Sequence, residues 1–248
     1  MERVAFVIPT LNEADSIGQV VDRIPVGELR KEGYDTSVYV IDGLSVDNTR
    51  DIAAEKGAQL ILEKRKGKGI ALQKAFKSIT ADYAIMADGD DTYPIEMATE
   101  MTRVLTTNDV VIGSRLRGTI EPGAMTKLNV VGNTLLSLLA RALFGVRVSD
   151  VCTGFWGYRS DAIRRLQLSA NGFEIEADMF AECVRNGLHI AEIPITYRAR
   201  KDRPKLASLR DGVRIGLFLC RRRLEQAYEN VGQTHVEKKT LSLKRRDQ

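Results

Sequence analysis

Short apolar runs alternate with segments of helical spacing through the first half of the chain. Five runs have the length and composition of buried strands, namely VAFVIPT (4–10), SVYVIDG (37–43), QLILE (59–63), DYAIMADGD (82–90) and DVVIGSR (109–115). Helical spacing marks the segments between them, 14–24, 46–56, 68–79 and 94–105. Strands that alternate with helices in this way predict an α/β fold with a mostly parallel central sheet and helices on both faces.

The second half of the chain is less regular. It predicts a loop at 118–126, a helix at 127–144, a short strand or turn in GFWGYR, a helix at 174–186, a strand at 188–198 and an amphipathic helix at 206–225. The last residues are polar. We therefore expect a single domain over 1–228 and a flexible tail over 229–248.

Composition excludes several classes of protein. With 248 residues, 44% of them hydrophobic, and a net charge of only +4, the chain is globular rather than disordered. Three widely spaced cysteines and two histidines give neither a zinc pattern nor a disulfide framework. The start MERVAFVIPT has no basic region before a long apolar run, so we expect no secretory signal. No apolar stretch reaches the ~18–20 residues of a membrane span.

Polar residues stand where the predicted strands end. They are Asn12 and Glu13 after the first strand, Asp42 after the second, Asp88 and Asp90 after the fourth, and Arg115 after the fifth. Open α/β sheets bind their ligands at the carboxyl ends of the strands. Several carboxylates at neighbouring strand ends repel one another unless a cation lies between them. We therefore interpret this edge of the sheet as a binding site.

The segment ADGDDTYP (87–94) is the strongest single indication of chemistry. Asp88 and Asp90, one residue apart, supply the carboxylate oxygens that Mg²⁺ or Mn²⁺ prefers, and such an ion can bridge a diphosphate. A pair of aspartates is by itself a weak motif. The alternative interpretation is a helix cap formed by Asp91 or Thr92 ahead of Pro94.

Two basic segments are consistent with bound phosphate. The first, EKRKGKGIALQKA (63–75), places Gly67, Lys68 and Gly69 just before a helix, where backbone can approach an anion. The second is ARKDRPK (199–205), which contains Arg200 and Lys205. The first segment is equally consistent with a solvated basic turn. The second is equally consistent with the charged face of a surface helix or with contact to an anionic membrane.

Six motifs, taken in order, resemble family 2 glycosyltransferases of the GT-A fold: VIPTLNE, VIDGLSVDNT, KGKGIALQKA, ADGDDTYP, VIGSR and VCTGFWGYR. The likeness covers about 4–223 and is strongest to the polyprenyl-phosphate (dolichol-phosphate) hexose synthases. It implies a nucleotide-sugar-binding half at 1–115 and an acceptor-binding half at 116–228. It also implies Mg²⁺ or Mn²⁺ as cofactor.

The resemblance assigns roles to individual residues. Nucleotide-sugar contacts would come from Pro9, Thr10, Asn12, Glu13, Asp42, Lys68, Asp88, Gly89 and Asp90. The metal would be held by Asp88 and Asp90. The acceptor phosphate would meet Arg115, Lys127, Arg200 and Lys205. The residues expected to act in catalysis are Asp90, Arg115 and Arg200.

The chain departs from the family pattern at several positions. Thr92 stands where relatives often have a metal-binding Gln, and Lys127 is the nearest cation where mannose synthases carry an Arg near position 129. In the late basic loop, Asp202 and Pro204 replace the usual Gly and Ser, and a proline stiffens the backbone.

The expected function is inverting transfer of a hexose from a UDP- or GDP-sugar to a polyprenyl (dolichyl) phosphate. We expect a cytoplasmic protein at the cytoplasmic face of the membrane, docked there by itself or through a membrane partner protein. A soluble acceptor is the rival enzyme function, for which Glu174 and Glu176 are candidate bases. A nucleotide-sugar or nucleic-acid binding module is the non-enzyme alternative. Nucleic acid is disfavoured, since the strand-end carboxylates would repel its phosphates.

Overall fold

A seven-stranded sheet forms the centre of the molecule. The computed structural model describes residues 1–200 and 208–244, with side chains described to residue 228. Its strands are β1 (Glu2–Thr10), β2 (Tyr34–Asp42), β3 (Gln59–Leu62), β4 (Tyr83–Met86), β5 (Val110–Ile120), β6 (Trp156–Arg159) and β7 (Ile190–Tyr197). Their order is β3-β2-β1-β4-β6-β5-β7, and β6 runs antiparallel to both of its neighbours. The mostly parallel sheet confirms the predicted α/β fold.

Helices cover both faces of the sheet. They are α1 (Ile17–Asp22), α2 (Val26–Lys31), α3 (Thr49–Glu55), α4 (Lys68–Ser78), α5 (Ala98–Leu105), α6 (Lys127–Phe144), α7 (Ser160–Arg165), α8 (Ile175–Arg185) and α9 (Ser208–Lys244). A 3₁₀ turn, Ile95–Met97, precedes α5. The short helices α2 and α7, of six residues each, are not among the helices predicted from the sequence.

The alternation of β1 explains how both faces of the sheet become buried. Phe6 and Ile8 pack with α1 and α5 in one core, whereas Val7 points into a second core with α4, α6 and α8. All three side chains are fully buried. A strand buried on both faces reads as a continuous apolar run, which is the pattern of parallel sheets.

Strand β5 is longer than predicted. The loop expected at 118–126 is wrong for its first three residues, because Thr119 and Ile120 pair with Thr196 and Tyr197 of β7 after a register shift. Gly118 lies against the backbone of Ile195, where no side chain would fit. Pairing with a strand 77 residues further along the chain, as between Thr119 and Thr196, has no local signal.

Helix α9 continues through most of the segment that was expected to be a tail, since its backbone is helical to Lys244. The flexibility of that segment stays a prediction. Over residues 1–200 and 208–244, no helix has both the length and the apolar character needed to cross a membrane.

Candidate active site

The carboxyl ends of β1, β2 and β4 bring the predicted polar residues together. Thr10 ends β1 beside Asp42, which ends β2, and Asp88 and Asp90 follow β4. Pro9, half-buried, pairs with Ile41 in the same register. The parallel topology therefore gathers on one edge residues that are up to 80 positions apart in the sequence, as with Thr10 and Asp90.

Two cations are bound to the aspartates of this edge. The ammonium of Lys68 lies 2.5 Å from Asp88 Oδ1 and 2.5 Å from Glu176 Oε1. The guanidinium of Arg200 lies 2.9 Å from Asp90 Oδ2 and 3.0 Å from Glu13 Oε1. The cluster thus holds two more carboxylates than cations, so it attracts further positive charge.

Burial raises the proton affinity of two carboxyls in this cluster. The pKa of Asp90 is raised by burial and by the neighbouring charge of Asp88, although Arg200 opposes the shift. The pKa of Glu176 is likewise raised, by burial first, and Lys68 opposes it. Burial alone would lower the pKa of Lys68, but Asp88 and Glu176 together raise it. The lysine is therefore charged at neutral pH.

The residues after Asp90 hold its carboxylate in place instead of capping a helix. The hydroxyl of Thr92 donates to Asp90 Oδ1 at 2.6 Å, and its amide donates to the same oxygen at 3.2 Å. Asp91 has a left-handed backbone with φ of 61° and pairs with Arg23 at 2.6 Å. The following 3₁₀ turn begins after Pro94 without a side-chain cap. The helix-cap interpretation of this segment is therefore wrong.

Two glycines allow close packing at this edge of the sheet. A Cβ at Gly154 would lie 2.6 Å from Asp88 Oδ2, and one at Gly89 would lie 2.7 Å from Thr10 Cγ2. The amide of Gly154 donates to the hydroxyl of Tyr93 at 2.6 Å, which fixes the loop before β6 beside the cluster. Any side chain at Gly154 would displace Asp88.

The donor set fits a hard divalent cation that keeps other oxygen ligands. Asp88 and Asp90 offer carboxylate oxygens, the ligand type that Mg²⁺ and Mn²⁺ prefer. Within the described part of the chain, no three His, Cys, Asp or Glu side chains are grouped to hold a metal by themselves. Phosphate oxygens and water would therefore complete the shell of an ion bound to these two residues.

Asp42 and Asn12 shape the loop after β2. Asp42 is fully buried and its Oδ1 accepts the amide of Ser45 at 3.0 Å, whereas its Oδ2 has no hydrogen-bond partner. Asn12, left-handed with φ of 54°, accepts the amide of Val46 at 2.8 Å through its side chain. The free oxygen of Asp42 is consistent with the predicted contact to a nucleotide.

The glycines beside Lys68 have a structural explanation. Gly67 and Gly69 lie directly against the backbone carbonyls of Asn171 and Ala170. The two glycines therefore admit the protein's own backbone, and contact of this loop with a phosphate stays a prediction. The contact holds Lys68, the first residue of α4, next to Asp88.

Arg115 is engaged with the protein. Its guanidinium forms a bidentate ion pair with Asp150, in which Nε lies 2.7 Å from Oδ2 and Nη2 lies 2.8 Å from Oδ1. Its carbon Cζ lies 5.2 Å from the ring centre of Tyr197. Only 6% of the residue is exposed. Its predicted contact to an acceptor phosphate would require the ion pair to open, so the geometry favours a role in fixing the loop that carries Asp150.

Two other predicted acceptor residues are not joined to the cluster by any contact that the described residues show. Lys127 is the exposed first residue of α6, and among the described residues it forms no ion pair with Asp88 or Asp90. Lys205 falls outside the described residues. Arg200 is the only one of the predicted acceptor residues that the described structure brings to Asp90.

Three contacts that complete the site were not predicted. They are the ion pair of Glu176 with Lys68, the ion pair of Asp150 with Arg115, and the approach of Gly154 to Asp88. Glu176 itself was predicted, but as a candidate base. The family-like segment VCTGFWGYR contains Gly154 and was the one available signal. The two acids lie 35 and 108 positions from their partners, where no local spacing could link them.

Comparisons with known proteins identify the family of the chain. Residues 5–167 match the model of Glycosyl transferase family 2. The chain is 37% identical to Glycosyltransferase AglJ of Haloferax volcanii over 89% of its length and 72% of that protein. It is 32% identical to a dolichyl-phosphate hexose transferase of the same organism, over 90% of its length and 95% of the relative.

A solved structure supports the fold. Glucosyl-3-phosphoglycerate synthase from Mycobacterium tuberculosis, solved with Mn²⁺, UDP and glucosyl-3-phosphoglycerate, superposes with a TM-score of 0.68. The match covers 91% of this chain and 80% of that chain at 22% sequence identity. The fold is therefore GT-A, and the family match identifies the protein as a glycosyltransferase. The family match, the two relatives and the carboxylates gathered at the sheet edge lead to one conclusion: the chain belongs to Glycosyl transferase family 2.

Proposed function

We propose that the protein transfers a hexose from a UDP- or GDP-sugar to a polyprenyl phosphate, with inversion at the anomeric carbon. The observation that carries the proposal is the cluster of Asp88, Asp90, Lys68 and Arg200 at the carboxyl edge of the sheet. Its carboxylates suit a metal-bound diphosphate, and its cations suit phosphate oxygens. The dolichyl-phosphate hexose transferase, which matches over nearly its whole length, supports the lipid acceptor.

The donor would bind with its diphosphate next to Asp88 and Asp90. A divalent ion held there supplies charge neutralisation of the leaving nucleoside diphosphate. Arg200 forms ion pairs with Asp90 and Glu13. When the donor binds, Arg200 would exchange one of these ion pairs for hydrogen bonds to phosphate oxygens. Lys68, locked by Glu176, keeps Asp88 oriented.

An acceptor phosphate needs no strong base. It is anionic at neutral pH, so the enzyme has to position it and shield its charge. The described site fits this requirement, since its cationic groups are Lys and Arg. His189 lies at the start of β7 with its side chain 86% exposed, beside Asp109. Access to a lipid acceptor also requires the protein to reach a membrane surface, which we include in the proposal.

A soluble acceptor is the second candidate function. A hydroxyl acceptor requires a general base, and Glu176 is a buried carboxylate whose pKa is raised by burial and that is joined to Asp88 through Lys68. The other candidate, Glu174, is paired with Arg214 at 2.9 Å. The raised pKa of this buried carboxylate is the observation that favours the second candidate function.

One assay separates the two functions. Purified protein is incubated with labelled UDP- and GDP-hexoses, Mg²⁺ or Mn²⁺, and either a short-chain polyprenyl phosphate or soluble phosphorylated acceptors. We expect label in the organic phase with the polyprenyl phosphate alone, and product of inverted anomeric configuration. Transfer confined to the soluble acceptors, and lost in Glu176→Gln, would instead establish the second function.

A further inference from the structure

Exposed apolar side chains are concentrated on two helices. Of seventeen exposed large apolar side chains among the described residues, nine lie on α6 and α9. Scattered exposed leucines are ordinary on a soluble protein, but a contiguous group marks a surface that contacts something.

The apolar side chains of α6 follow one helical face. Leu128, Val131, Leu135 and Leu138 are spaced by three and four residues, so they project to the same side. Leu128 is 64% exposed and Leu135 is 60% exposed. The opposite side of the helix, which includes Ala140, is buried in the core. Helix α6 is therefore apolar on two sides, and only one of them is used by the fold.

Helix α9 has the same arrangement. Its exposed apolar side chains are separated by four or seven residues, about one or two helical turns, so they share one side of the helix. They are Leu209, Val213, Leu217, Leu224 and Tyr228, and Leu217 is 67% exposed. Within the same part of the helix, buried side chains attach it to the core, namely Ile215 and Leu219.

The two stripes lie on helices that touch. A Cβ at Gly216 of α9 would meet Leu136 and Leu139 of α6 at 3.6 and 3.7 Å. Arg222 ties α9 to α8 through a 2.9 Å ion pair with the buried Asp178. The stripes are thus presented by a fixed helix pair, which we name the α6–α9 face.

Basic residues border this face. With about 100° of rotation per residue, Arg210, Arg214 and Arg221 fall beside the apolar stripe of α9 on one edge. Lys127 and the exposed Arg141 fall beside the stripe of α6. Arg214 and Arg221 also pair with Glu174 and Glu225, at 2.9 and 2.7 Å. An apolar strip with a cationic border is the pattern of helices that lie in the plane of an anionic membrane.

We propose that the α6–α9 face docks the protein on the surface of a bilayer that contains anionic lipid. Leucine side chains would enter the boundary between headgroups and acyl chains, and the arginines would meet lipid phosphates. Charge complementarity selects this occupant. A symmetric pair of identical chains would place the same basic borders close together, which repel each other. The proposal deepens the proposed function, because such docking would bring the site to a polyprenyl phosphate.

Sedimentation with vesicles tests the docking on the full chain. Phosphatidylcholine vesicles are compared with mixed phosphatidylcholine and phosphatidylglycerol vesicles. We expect the wild type to bind the anionic vesicles and to be released by salt. The double variant Leu135→Ser/Leu217→Ser is expected to lose at least about tenfold in partition. Arg210→Gln is expected to lose about fivefold on anionic vesicles alone.

A matched control uses leucines on another surface. Leu60 and Leu62 of β3 are 37% and 43% exposed, so Leu60→Ser/Leu62→Ser makes the same two exchanges at exposed positions on an edge strand of the sheet. This variant is expected to bind vesicles as the wild type does. Circular dichroism and thermal unfolding of each variant establish that it is folded.

Three outcomes would overturn the docking proposal. The first is equal vesicle binding by the α6–α9 variant and its control. The second is equal binding of the wild type to both vesicle types. The third is a wild type that does not bind vesicles but forms a dimer, which Leu135→Ser/Leu217→Ser dissociates.

Failure of the proposed function is recognised separately with a water-soluble short-chain isoprenyl phosphate. Vesicle binding through this face without transfer to that acceptor would leave the docking intact and remove the function. Transfer that both double variants retain, with vesicle binding lost in one, supports both.

Discussion

Asp90 is held by two kinds of partner at once. The Thr92 hydroxyl and amide fix one carboxylate oxygen, and Arg200 binds the other at 2.9 Å. Only the second partner is a cation, and a metal ion could take its place beside Asp90. The side chain is thus oriented before any ligand arrives, which is the preorganisation that transfer chemistry requires.

The Asp90→Asn variant tests this residue. Removing the charge while keeping the shape should lower transfer by at least about 10²-fold, because the proposed metal-bound diphosphate would lose a charged ligand. Initial rates with saturating Mn²⁺ measure the effect, and an unchanged circular dichroism spectrum shows that the fold remains. Asp91→Asn is the control, since Asp91 pairs with Arg23 and asparagine tolerates its φ of 61°. Equal losses in both variants would remove Asp90 from the site.

Gly154→Ala tests the space beside Asp88. The added methyl would lie 2.6 Å from Asp88 Oδ2, so the carboxylate has to move. We expect transfer to fall at least about tenfold, since displacements on the scale of 1 Å are costly in a preorganised site. In the control Gly27→Ala, in α2, no atom lies within 4 Å of the new methyl. Normal kcat and KM in Gly154→Ala would show that the position of Asp88 does not matter.

At the scale of elements, α9 depends on a buried ion pair. Arg222 forms ion pairs with Asp178, at 2.9 Å, and with Glu182, and both acids of α8 are fully buried. Removing the cation would leave two buried carboxylates with less compensation. Arg185 still reaches Glu182 at 3.2 Å, so the loss is partial.

We expect Arg222→Ala to lower the free energy of unfolding by about 3 kcal/mol, the cost of breaking a buried pair. Urea denaturation at pH 7 measures it. Arg221→Ala, which removes an exposed arginine paired with Glu225, should cost no more than about 0.5 kcal/mol. Equal free energies of unfolding for the two variants would contradict the role of Arg222.

The same variant has a pH dependence of known sign. Burial raises the pKa of Glu182 above its ordinary 4.5, and Arg222 opposes that shift. In Arg222→Ala the pKa rises further, so the folded state takes up a proton before the unfolded chain does as pH falls towards 4.5. Folding is then favoured by acid. The stability difference between variant and wild type should therefore shrink from pH 7 to pH 5, as followed by urea denaturation at each pH.

At the scale of the whole molecule, ligand binding should be visible as stability. A nucleoside diphosphate with Mn²⁺ at 100 times its Kd would add about 2.7 kcal/mol. For a chain of this size that corresponds to a Tm increase of about 5–10 °C. Thermal unfolding with UDP, GDP and the corresponding monophosphates, each with and without metal, measures it. A metal-dependent shift that persists unchanged in Asp90→Asn would place the metal elsewhere.

The amino-acid sequence by itself determined the α/β class, the order of most strands and helices, and the strand-end residues of the site. Those features depend on local periodicity and on the rule that parallel strands share a carboxyl edge, both of which are written in short stretches of chain. The tertiary structure alone decided what each charge does. It paired Lys68 with Asp88 and Glu176, and it paired Arg115 with Asp150. It also extended β5 along β7 and left the α6–α9 face exposed. These contacts join residues that are far apart in the chain. They depend on burial and on electrostatic attraction, and both depend on distances that only the folded chain defines.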